Sequence, residues 1–105
     1  MTGLGIFRTM NPSFSHDPAE GLYIVTADGH QGTVLYRPAG AGIVDFQSTY
    51  IPFALRHRNL GTALVRYALE QARSQGVKVI PSCWFVGQVV DRMPEYREVL
   101  VDSSP

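Results

Sequence analysis

Arg56-His57-Arg58 is the one concentrated basic stretch of this chain, and Asn59-Leu60-Gly61-Thr62 leads from it into a helical run. Ile51-Pro52, just before it, marks the exit from an apolar strand. A strand, a basic turn and a helix start, in that order, build a seat for a phosphate group. The first helical N–H groups have no intrahelical acceptor, and the helix dipole adds roughly half a positive charge at that end. Arg56 and Arg58 bring forked donors matched to phosphate oxygens. An ordinary strand-to-helix turn with solvated arginines has the same composition, so the turn alone leaves both readings open.

The rest of the composition narrows the classes. The chain has 105 residues, room for one core, and is read as a single domain over 1–105 with an irregular segment over 1–20. Nine basic residues balance nine acidic ones, so no bulk field draws the protein to nucleic acid or to a membrane. No run approaches the ~18 apolar residues needed to span a bilayer. One cysteine, Cys83, excludes an internal disulfide and a cysteine-only zinc cage. His16, His30 and His57 lack metal-ligand spacing, so no metal is expected. His16 and His30 lie in turn-like, solvated surroundings and are assigned no role. The first ten residues carry no secretion-signal pattern, and a cytoplasmic location is expected.

The elements that must position the basic turn read as follows. Asn11-Pro12 and Asp17-Pro18 force turns in the opening segment, with a short edge strand over residues 4–10. Leu22 to Thr26 is rich in β-branched and aromatic residues, Asp28-Gly29 signals a hairpin, and Gly32 to Arg37 returns. Pro38 to Gly42 turn again, and Ile43 to Ile51 forms a third strand. These three strands make a meander with one apolar face to cover. Leu60, Ala63, Leu64, Tyr67 and Ala68 recur at helical spacing, and Val65, Leu69 and Ala72 widen the stripe. Gly76 ends that helix as a left-handed cap. Val77 to Ile80 is a short strand, reached by a crossover and therefore parallel to the third. A helix from Trp84 to Arg92 and a short one from Pro94 to Leu100 finish the domain. The fold class is α+β: a mostly antiparallel twisted sheet, a meander plus one strand after a crossover helix, packed by two or three helices.

This order resembles the GNAT superfamily of acyl-CoA-dependent N-acetyltransferases, in its short single-domain branch. There, a Val-Pro and a Leu-Arg-Gly-x-Gly-Ile-Gly turn precede the helix. A Val-Ile-Pro-x-Cys-x-Phe-Val strand end and a His-Pro-Glu-Tyr segment follow. The counterparts here are Ile51-Pro52, Leu55-Arg56-His57-Arg58-Asn59-Leu60-Gly61, Val79-Ile80-Pro81-Ser82-Cys83-Trp84-Phe85-Val86 and Met93-Pro94-Glu95-Tyr96. The ordered set covers about residues 20 to 100. The resemblance implies transfer of an acetyl group from acetyl-CoA to a primary amine, on a protein lysine or a small molecule. It places the pyrophosphate on the turn from Arg56 through His57, Arg58, Asn59, Leu60 and Gly61 to Thr62. The pantetheine arm would run beside Tyr50 and Ile51, with the thioester where the third and fourth strands part.

The departures fall on the same residues. His57 and Asn59 replace two glycines of the turn; Asn tolerates a left-handed backbone, whereas His57 there costs on the order of 1–2 kcal/mol. Tyr50 stands in place of a carboxylate, Met93 of a histidine, and Val89 of a tyrosine common in the helix after the fourth strand. Each change removes a group able to carry protons. Cys83 and Tyr50 remain as catalytic candidates: Cys83 to accept the acetyl group or position the thioester, Tyr50 to donate a proton. Packing is the commoner role for a lone cysteine and for a strand tyrosine. Trp84, in place of the branch's proline, is expected to fill core volume. The alternative function is a catalytically weak or inactive acyl-CoA-binding module.

Overall fold

The computed structural model describes residues 11–101. Its sheet has five strands in sequence order: β1 (Ser13–Asp17), β2 (Leu22–Ala27), β3 (His30–Gly40), β4 (Ile43–Tyr50) and β5 (Lys78–Ile80). The first four are antiparallel neighbours, and β5 lies parallel to β4 after the crossover helix α1 (Leu60–Gln75). Helix α2 (Trp84–Arg92) and a 3-10 segment (Pro94–Val99) complete the chain order. This is the α+β architecture expected from the sequence, with one strand more in the meander.

That strand is the first correction. Ser13–Asp17 falls inside the segment read as irregular, yet it pairs with β2 from Ser13↔Thr26 to Asp17↔Leu22. An edge strand needs apolar residues only on its inward face, and Phe14 supplies one by stacking on Tyr67 at 5.3 Å. His16 is the second correction. It is half-buried, its ring lies 4.3 Å from that of Tyr23, and its Nε2 is hydrogen-bonded to the Tyr36 hydroxyl. The edge strand over residues 4–10 lies outside the described residues. The second turn is tighter than expected, since β3 continues through Pro38 and Ala39 to Gly40.

The sheet's alternation sorts the core. Tyr23, Val25, Val34 and Phe46 point to the face that α1 covers, and all are buried. Helix α1 meets them with Leu60, Leu64, Val65, Ala68, Leu69 and Ala72, the stripe read from spacing. Gly76 ends the helix at φ 71°, its N–H bonded to the Ala72 and Arg73 carbonyls. Val86, Val89 and Val90 of α2 join the same core. The last segment is pinned to α1: Tyr96 is buried, donates to Glu70 Oε2 at 2.8 Å, and carries the Arg73 guanidinium over its ring.

Burial holds the His16 pKa below its ordinary value, with Asp17 opposing. The unfolded chain therefore binds a proton more readily than the folded one, and stability rises with pH. This contribution is complete above about pH 6.5 and is lost as pH falls from there through the lowered folded value. Thermal melts from pH 7.5 to 5 should show that loss, and His16→Gln should remove part of the slope.

Candidate functional site

The turn before α1 is built around two left-handed residues that are not glycine, His57 at φ 66° and Asn59 at φ 59°. Asn59 occupies the N-cap position of α1, but in this conformation its side chain makes no capping hydrogen bond. An extended backbone would have let it cap. The first intrahelical donor is Ala63, whose N–H reaches the Asn59 carbonyl at 3.1 Å. The N–H groups of Leu60, Gly61 and Thr62 are thus left for an external acceptor, and the first turn carries no acidic residue. The donor set fits an anion. Gly61 has a second use: a Cβ there would lie 3.3 Å from the Phe85 ring, so its lack lets α2 close against the start of α1.

A groove runs from this turn to the foot of α2. One hollow, of about 360 Å³, lies over His57, Asn59, Leu60, Gly61 and Thr62, with Phe85 and Arg92 of α2 on its rim. A second, of about 260 Å³, lies over Thr49, Cys83 and Trp84. Ile51, Arg56 and Phe85 line both, so the two are continuous. Ile51 sits above Gly32, where a Cβ would stand 2.6 Å from its Cδ1. The Arg56 Nε donates to the Ile51 carbonyl at 3.0 Å, which holds its guanidinium across the join.

The inner end is formed where β4 and β5 part. Their pairing ends at Asp45↔Ile80, and the Cys83 N–H then reaches the Phe46 carbonyl at 2.9 Å. Pro81 has no N–H with which to continue the ladder. Cys83 is the N-cap residue of α2, half-buried, with Sγ 3.5 Å from the Thr49 hydroxyl.

The sequence-derived candidates are divided by this geometry. Ile51, Arg56, His57, Asn59, Leu60, Gly61, Thr62 and Cys83 line the groove. Arg58 forms an ion pair at 2.5 Å with Asp28 in the β2–β3 turn. Tyr50 is not brought to Cys83: it pairs with Thr33 while Thr49 pairs with Val34, so Tyr50 faces the opposite side of the sheet and is 58% exposed. Trp84 corrects the core expectation, since it is 70% exposed at the groove mouth, its ring edge-on to Phe85. Sequence reasoning passed over Thr49, Phe85 and Arg92 as site residues. The signal for the last two was available, because residues seven apart share a helix face.

This α+β architecture, with a strand pair that parts beside an uncapped helix N-terminus, is consistent with the acetyltransferase-type domain that the sequence resembles. The chain belongs to the GCN5-related N-acetyltransferase family, whose model matches residues 22–99. It is 30% identical over 89 residues to Protein NATD1 of Homo sapiens, covering 81% of this chain and 79% of that protein. Protein NATD1 of Xenopus tropicalis is 28% identical over 103 residues, with 90% and 94% covered.

The left-handed backbone at residue 57 yields a stability test. His57→Gly relieves about 1–2 kcal/mol of strain and loses about 0.4–1 kcal/mol to unfolded-chain entropy, so its melting temperature should match or modestly exceed that of wild type. His57→Val should melt measurably lower, because a β-branched residue is a genuine outlier there.

Proposed function

We propose that this groove holds acetyl-CoA and that the protein transfers the acetyl group directly to a primary amine, on a lysine side chain or a small molecule. The observation that carries this is the continuity of the groove. It joins a seat of free N–H donors at α1 to a thiol and a hydroxyl at the parting of β4 and β5. The Leu60, Gly61 and Thr62 amides and Arg56 would take the pyrophosphate. Ile51 and Phe85 would flank the pantetheine arm. Beyond Phe46, the β5-facing edge of β4 has no strand partner among the described residues, so its backbone is open to that arm's amides.

Acetyl-CoA supplies an activated carbonyl. The neutral amine adds to it, the carbon–sulfur bond breaks, the nitrogen gives up a proton and the thiolate takes one up. The Thr49–Cys83 pair stands where that proton would be returned. Tyr50, turned to the other face, has no part in this step. The open mouth beside Trp84 favours an unhindered amine over an enclosed metabolite. A cytoplasmic location is consistent with this role.

A second reading, a binding module without turnover, draws on the lining itself, which includes no aspartate, glutamate or tyrosine side chain to serve as a general base. Calorimetry with acetyl-CoA and an assay for amine-dependent release of free CoA thiol separate the two. Binding with release supports transfer; binding without release across an amine panel leaves the module. Arg56→Ala should weaken acetyl-CoA binding by about 1–3 kcal/mol, read by the same calorimetry. Cys83→Ala should lower turnover by about 10²-fold or more if the thiol returns the proton, and full activity would reduce it to packing.

A further inference from the structure

Arg92 is the one side chain from the far end of α2 that reaches the groove. Phe85 and Arg92 are seven residues apart on α2, so they share a face and stand about 10.5 Å apart along the axis. Helix α2 therefore lies along the groove with a fixed polarity. Cys83 at its start marks the inner end, Phe85 crosses the first turn of α1, and Arg92 lies beyond it.

The charges at that outer end are one-sided. Arg56, His57 and Arg92 line the outer hollow, and no acidic side chain does. Among the described residues, Arg92 makes no ion pair or hydrogen bond to another side chain, although it is exposed and free to choose one. By contrast, Arg58 is engaged by Asp28, and Arg73 by Glu70 and Glu98. The α1 amides are enough for a pyrophosphate alone. A guanidinium on the opposite wall is placed for a second anionic group, farther from the thioester.

We propose that Arg92 is a specificity-determining residue that binds a phosphomonoester on the ribose of the nucleotide, so that CoA is held in preference to 3′-dephospho-CoA. This rests on the acetyl-CoA reading above. A charge-assisted contact of this kind gives a preference of about tenfold or more.

Calorimetry with CoA and 3′-dephospho-CoA on the wild-type protein, Arg92→Ala and Arg92→Lys tests it. The expected result is a wild-type preference of about tenfold or more, reduced to within twofold in Arg92→Ala and partly restored in Arg92→Lys. A loss of packing would weaken both ligands alike and leave their ratio unchanged, and that outcome overturns the proposal. Equal wild-type affinity for the two ligands also overturns it while leaving the acetyl-CoA reading intact. No binding of either ligand at millimolar concentration overturns both.

Discussion

The rest of the site depends on the early parting of β4 and β5. Three residue pairs hold the two strands together, and one further hydrogen bond, from the Cys83 N–H to the Phe46 carbonyl, closes the junction. Pro81 then denies the ladder a donor. Had β5 continued, its next residues would have covered the edge of β4 that carries Thr49 and leads to Ile51. The parting leaves that edge open and starts α2 beside it, so a thiol, a hydroxyl and free backbone groups come together in one place.

The second constraint is steric, between the helices. The N-terminus of α1 offers three N–H groups, but they form part of a groove only because α2 closes down beside them. Gly61 permits that approach, as any Cβ would press on the Phe85 ring. Gly32 plays the matching part across the sheet, giving room for Ile51. Small residues at these two points bring apolar walls into line with polar ends. The resulting groove has an apolar middle, suited to a thin flexible arm, and charge at its outer mouth.

The inner end of the groove is less fully furnished with polar groups than the helix N-terminus at its outer end. The turn keeps its left-handed geometry without two of the glycines usual there, with His57 and Asn59 adopting it instead. The inner hollow has no carboxylate among the residues that line it. On the acetyl-CoA reading proposed above, the groove would hold the thioester, and deprotonation of the amine would fall to solvent or to the acceptor's own surroundings.

Much of this was legible in the residues. The α1 stripe, its Gly76 cap, the Asp28-Gly29 hairpin and the parallel β5 all follow from local periodicity and turn chemistry, which depend on neighbours in sequence. The turn from Arg56 to Thr62 was legible for the same reason, since an exposed helix start has unpaired donors wherever it is found. What the sequence could not determine was the side on which each residue would lie. Ser13–Asp17 reads as polar and irregular, and it becomes a strand only because β2 offers an edge. Tyr50 and Thr49 are adjacent in the chain, yet the pleat sends one to open solvent and the other to Cys83. Arg58 looks like the equal of Arg56 until the fold brings Asp28 to it across 30 residues. Local propensity settled the elements, and tertiary packing decided which of their side chains could meet, because facing and proximity are properties of the assembled sheet and helices.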